Sequence, residues 1–318
     1  MPDTVNQPEV NTPTWPPPTH LETPWPHIGA WSHFFLNAEI PVLAATARAL
    51  EELRANEDDV DANRLTTVIQ ADPLMTLKLL SRIAQLRRPG AGTETESITT
   101  ALVMMGIAPF FRHFGPQRTV EEWLAGYPEA LQGLQVLLTR AGRAGQFALG
   151  FALHRGDTDA TVIHQAAFLN DFAEMLVWLH APTLALKIQR AQAADTTLRS
   201  NAAQRAVLGV DISDMRQALM KLWQLPELLV SISDARHSDR PNVQCVLLAV
   251  RLARHTAQGW DNAAVPDDVE DIARLLNAPP RVALAFLHKI DHPILEAASI
   301  NGQRDGQAAP PPETDTTP

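Results

Sequence analysis

The sequence predicts an all-α protein: a single multi-helix domain between Pro-rich ends. Three observations carry this. Ala and Leu dominate while aromatics make up only 6% of the chain, a composition that favours helix over strand. Apolar residues recur at three- and four-residue spacing, and no stretch alternates with a period of two. Twelve of the 25 prolines fall in residues 1–30 and 301–318, so the boundaries are expected as a disordered arm over 1–30, a helical domain over 31–298 and a disordered tail over 299–318. Trp15 and Trp25 are unusual in such an arm: either they dock on the domain or they form a partner-binding peptide.

From Ile40, Leu43, Ala47, Leu50 and Leu53 share one helical face. A second helix is expected over Asp61–Ala71, with Leu65, Val68 and Ile69 inward. Asp72-Pro73 then signals a strong helix start, Asp as N-cap and Pro where its missing N–H costs nothing. That helix buries Leu74, Leu77, Leu80, Ile83 and Ala84 and ends in cations before Pro89-Gly90. Ser97 opens a helix that Gly106 closes, Pro109 allows a short turn of helix, and Glu121–Gly126 forms a small one. Pro128 opens a long helix to Arg155, whose glycines allow close packing.

The stretch Ile163–Pro182 is the most apolar helix-length run, and it is expected as the middle of one helix from Thr158 to His180. Further helices follow from Pro182, from Asp211, after Pro226, over the amphipathic run from Asn242, over Asp267–Leu276 and over Pro280–Lys289.

The net charge of −10 weighs against nucleic-acid binding, which draws most of its affinity from basic groups on phosphate. No apolar run reaches the ~18 residues of a membrane span, and no signal peptide is visible. The one cysteine, Cys245, allows no internal disulfide and reads as a small buried apolar residue, consistent with the cytoplasm.

Three motifs in order carry a resemblance. The first is Ile69, Asp72, Pro73, Leu74, Leu79 and Leu80. The second is Ser97-Ile98, Ala101 and Met105-Gly106. The third is Val207-Leu208-Gly209-Val210-Asp211 followed by Leu222-Trp223-Gln224-Leu225-Pro226. Over residues 35–290 the chain resembles the HDOD domain, an output domain of bacterial signalling proteins related to HD-type metal-dependent phosphohydrolases. The resemblance implies that Leu169-Asn170-Asp171 stands where HD enzymes carry Leu-His-Asp. It also implies that Ile212 stands where a His is common, and Arg236-His237 where a His pair is common.

These substitutions remove ligands. An Asn amide is a weak ligand for zinc or iron, and Ile offers nothing. On one continuous helix, His164, Asp171 and Glu174 would share a face as a local polar cluster, and Arg236 or His237 is the expected partner of Asp171. The resemblance therefore implies a non-catalytic regulatory module, with no metal and no cofactor. Its partner would be a protein or small ligand of a bacterial signalling pathway, without membrane or nucleic acid. The alternative is a metal-dependent phosphohydrolase with a rearranged site. Other residues read blandly: His180 as a helix-end cation, Met104-Met105 as packing, Trp178 and Trp223 as core, and Arg140, Arg143 and Arg155 as a solvated face.

Overall fold

The computed structural model describes residues 15–86 and 97–291, and its regular structure there is helical, with one isolated parallel bridge between Val42 and Thr119. By their internal packing the helices fall into two compact units. Unit 1 is Met1–Leu138 with Asp171–Val230; unit 2 is Thr139–Asn170 with Ser231–Pro318. The crossings were not legible because none coincides with a Pro- or Gly-rich linker. Two fall inside helices and the third between two adjacent apolar runs. The tail over 299–318, residues 1–14 of the arm and the Pro89-Gly90 stop lie outside the described residues.

Unit 1 begins with α1 (Ile28–Asn37), α2 (Ala44–Arg54), α3 (Ala62–Gln70) and α4 (Pro73–Leu86). It continues with α5 (Ile98–Met105), α6 (Ile107–His113), α7 (Val120–Trp123) and the first part of α8 (Pro128–Arg155). Most of these starts are written into the sequence as caps. Asp61 accepts from the Arg64 N–H, Ser97 from the Thr100 N–H, and Thr119 with Glu122 closes a reciprocal capping box. Gly106 ends α5 at φ +82°, a conformation a side chain would strain.

The start of α4 does more than cap a helix. Asp72 is fully buried; its Oδ1 accepts from the N–H groups of Leu74 (2.8 Å) and Met75 (3.2 Å), and its Oδ2 from Leu43 N–H at 2.8 Å, just before α2. One carboxylate thus ties two helix N-termini together. Burial pushes its pKa up, opposed by the backbone N–H groups that point at it.

The later helices of unit 1 include α10 (Phe172–His180), α11 (Pro182–Ala194), α12 (Ser200–Leu208) and α13 (Ile212–Leu222). α1 packs on α13 and α11 on α12. Trp31 is buried and stacks on Phe35 at 5.6 Å, and Trp178 and Trp223 are core residues. Gly133 of α8 lies so close to α10 that a Cβ there would sit 2.4 Å from the Trp178 ring. Met104, by contrast, is 66% exposed, so the packing reading of that pair fails for it. The arm is also not disordered throughout. From Trp15 it runs along unit 1, and Leu21 N–H donates to the His180 carbonyl at 2.7 Å.

Unit 2 holds the rest of α8, α9 (Ala160–Phe168), a short 3-10 turn over Ala235–His237, α15 (Pro241–His255), α16 (Val265–Leu275) and α17 over residues 280–291. The boundary at Val230 falls within α14 (Glu227–Ile232). In unit 2, α15 packs on both α9 and α16. Here the expected solvated arginine face is wrong. Arg143 is buried and forms a two-pronged ion pair with the equally buried Asp291, at 2.8 and 2.9 Å. Thr256 takes two further Arg143 donors, at its carbonyl (3.0 Å) and its Oγ1 (2.7 Å), and Trp260 Nε1 donates to Asp291 at 3.0 Å. Arg155 is likewise engaged, with Asp157 and the Leu275 carbonyl. Cys245 is buried as expected, and its thiol is pushed up to about 12 by burial and the nearby Asp157.

Two stability predictions follow from these buried groups. Asp72→Ala orphans three backbone N–H groups and is expected to cost about 3 kcal/mol in urea denaturation, more than Asp61→Ala, which loses one exposed cap bond, at about 1 kcal/mol. Arg143→Met alone leaves Asp291 charged and buried and should cost about 3–5 kcal/mol, while Arg143→Met with Asp291→Leu should recover much of that loss. A double variant no more stable than Arg143→Met would refute the account.

Candidate functional site

The apolar stretch that was expected as one helix is two. α9 ends at Phe168 and α10 starts at Phe172, with turn backbone at Leu169, Asn170 and Asp171. Leu169 (φ −93°, ψ 3°) and Asp171 (φ −99°, ψ 13°) sit in the bridge region, and Asn170 N–H reaches back only three residues, to Ala167, at 3.2 Å. The break changes what the polar residues do. The shared face assumed for His164, Asp171 and Glu174 required an unbroken helix, so that argument no longer applies. Asp171 is instead the N-cap residue of α10, and Glu174 lies in its first turn, where negative charge faces the positive end of the helix dipole. His164 belongs to α9, stacks on Phe168 at 5.6 Å, and burial pushes its pKa down.

The other remnant positions are Ile212, Arg236 and His237. Ile212 is buried at the first position of α13. Before it, Asp211 caps that helix through Ser213 N–H (2.8 Å) and holds Arg205 at 3.0 Å; burial opposes the shift, but these bonds carry its pKa below the usual range. Arg236 is 74% exposed at its side chain and closes on Asp234, two residues earlier, with Nη2 at 2.7 Å and Nε at 2.9 Å. His237 Nδ1 approaches the same carboxylate at 3.7 Å, too long for a hydrogen bond. Asp234, held down to about 2 chiefly by Arg236, is therefore a residue that sequence reasoning passed over. Its signal was an Asp at the N-cap of a short turn. Among the described residues, no group of three His, Cys, Asp or Glu side chains could hold a metal ion.

A second place, in unit 1, was missed altogether. Residues Trp15 to Thr19 of the arm wall a cavity of about 680 Å³, completed by Phe34, Arg118, Trp123 and His180 among others. His180 is 2% exposed, with rings of Phe34, Phe35 and Trp123 within 6 Å of its own. Burial pushes its pKa down to about 4, so it is a neutral imidazole whose Nε2 donates to the Glu39 carbonyl at 2.9 Å. The helix-end cation expected there is corrected accordingly.

Arg118 is 8% exposed, and its guanidinium lies over the Trp123 ring at 4.8 Å. Its Nη1 donates to the Pro16 carbonyl at 2.6 Å, and its Nε has no hydrogen-bond partner. An extended Pro segment has free carbonyls, which explains why the arm can take this donor. The bond joins residues 102 positions apart, and no local pattern announces it.

Comparison with known proteins agrees with this architecture. The HDOD domain matches residues 40–239. The crystal structure of the MmoQ response regulator from Methylococcus capsulatus superposes at a TM-score of 0.57 with 17% identity, covering 79% of this chain and 99% of that one. A virulence factor from Campylobacter jejuni superposes at 0.54 with 17% identity, covering 79% and 91%. An HDOD domain protein of unknown function from Geobacter sulfurreducens reaches 0.46 with 16% identity, covering 84% and 95%. No curated protein matches in sequence. The helical fold of the first two neighbours and the family match over well more than half the chain agree with the three ordered motifs, and this chain belongs to the HDOD domain family.

Proposed function

We propose that the chain is a non-catalytic signal-transduction module of the bacterial cytoplasm that acts by binding a protein partner or a small ligand. The observation that supports this most is the pair of residues at the HD-type ligand positions. Asn170 replaces the histidine of the pair, and Ile212 is a buried aliphatic residue where imidazole would be needed. A divalent metal that activates water needs several converging anionic or imidazole donors, and these two supply neither. Asp171, the retained member, stands at the N-terminal boundary of α10. The acidic chain argues against a nucleic-acid partner, and none of the described helices is long and apolar enough to cross a membrane.

The test is direct. The purified chain, supplied with Mn²⁺, Fe²⁺ or Zn²⁺, is assayed for phosphate release from nucleotides and for p-nitrophenol release from bis-(p-nitrophenyl) phosphate. The expected rate equals that of metal alone, and elemental analysis after dialysis finds far less than one metal per chain. Phosphate release above the blank, with stoichiometric metal that Asp171→Ala abolishes, would overturn the proposal in favour of a rearranged metal-dependent phosphohydrolase.

A further inference from the structure

The cavity beside the arm has the size and wall of a small-ligand site. Its volume of about 680 Å³ falls in the usual range for such sites, roughly 300–1,000 Å³. Its apolar surface comes from Trp15, Phe34 and Trp123, with the prolines of the arm. The question is what charge the wall leaves uncompensated.

Four lining residues can carry charge: His33, Glu39, Arg118 and His180. Glu39 is already spent on Lys78, at 2.6 Å. His180 is neutral and holds the Glu39 carbonyl. His33 is exposed at the rim. That leaves Arg118, always protonated, nine-tenths buried, and without a carboxylate partner among the described residues. One of its donors goes to the Pro16 carbonyl and its Nε to nothing. A buried guanidinium in this state is costly, because its solvation is lost and only partly replaced. Arg118 lines the cavity, and an anion there would meet the charge of its guanidinium. A planar carboxylate suits the guanidinium edge, whose face is already taken by Trp123.

We infer that this cavity binds a small carboxylate with a flat apolar body, the carboxylate on Arg118 and the body between Trp15, Phe34 and Trp123. The site deepens the regulatory reading by giving the module a ligand class. It rests on that reading only for what occupancy would mean, since the binding measurement below and the phosphate-release assay report separately.

The probe is 2-naphthoate, compared by isothermal titration with 2-naphthamide, its neutral isostere, on the full chain. Naphthoate should bind one-to-one and at least about tenfold tighter than the amide. Arg118→Gln should erase that preference. Trp15→Ala should weaken both probes and leave their ratio unchanged, because it touches the body of the ligand and not its charge. The ratio on the unaltered chain is informative even if Arg118→Gln fails to fold. Equal affinity for acid and amide, no saturation by about 1 mM naphthoate, or a preference that survives in folded Arg118→Gln would each overturn the inference.

Discussion

Unit 1 depends on one buried carboxylate. Asp72 has two oxygens and three backbone N–H groups to receive, two from the first turn of α4 and one from the residue before α2. Pro73 occupies the first helical position and has no N–H of its own, so the capping oxygen serves the next two residues. The arrangement explains why Asp and Pro stand together. Glu would overreach the helix start, Asn would turn a donor toward one of the N–H groups, and a hydroxyl cannot span both helix starts. Charge-assisted bonds of this kind contribute about 1.5–3 kcal/mol each, and they offset part of the burial that raises the carboxyl pKa. Thr76 reinforces the corner by donating to the Ile69 carbonyl at 2.8 Å, which links α4 back to the end of α3. The first of the family motifs is thus a structural joint.

Unit 2 solves a similar problem with an ion pair. Arg143 can be buried because its donors are spoken for by Asp291 and Thr256, and because Asp291 takes a further bond from Trp260. Such a pair contributes little net stability against an apolar replacement, but it penalises any arrangement that separates its members. Here that ties α17 to α8 within the unit, at a sequence separation of 148 residues. The two units therefore each carry a polar lock whose members are individually destabilising and jointly satisfied.

What the sequence showed and what it hid divide along the same line. Helix starts at Asp61, Asp72, Ser97 and Asp211 were legible because a cap acts over two or three residues. The long helix from Pro128 and the burial of Cys245 were legible from periodicity and composition. The break at Asn170 was not. Ile163 to Leu169 and Phe172 to Leu179 are buried so thoroughly that the apolar pattern runs on across the junction and gives no phase to read. Arg143 was read as solvated because its partner lies far along the chain. The family resemblance singled out Asn170, Asp171 and Ile212 but could not say that the helix carrying the first two is interrupted there.

The contrast between His180 and Arg118 separates a structural polar group from a candidate functional one. Both are buried, both border the same cavity, and both touch Trp123. His180 avoids the cost of burial by losing its proton and donating to Glu39. Arg118 has no such option, since a guanidinium stays charged in any protein interior. Folding could have removed the problem with a carboxylate in the wall; the one available, Glu39, goes to Lys78. The arm supplies a single carbonyl through Pro16, a neutral acceptor for a full charge. A buried charge without an opposite charge beside it is costly, and Arg118 lines a cavity large enough to admit an anion.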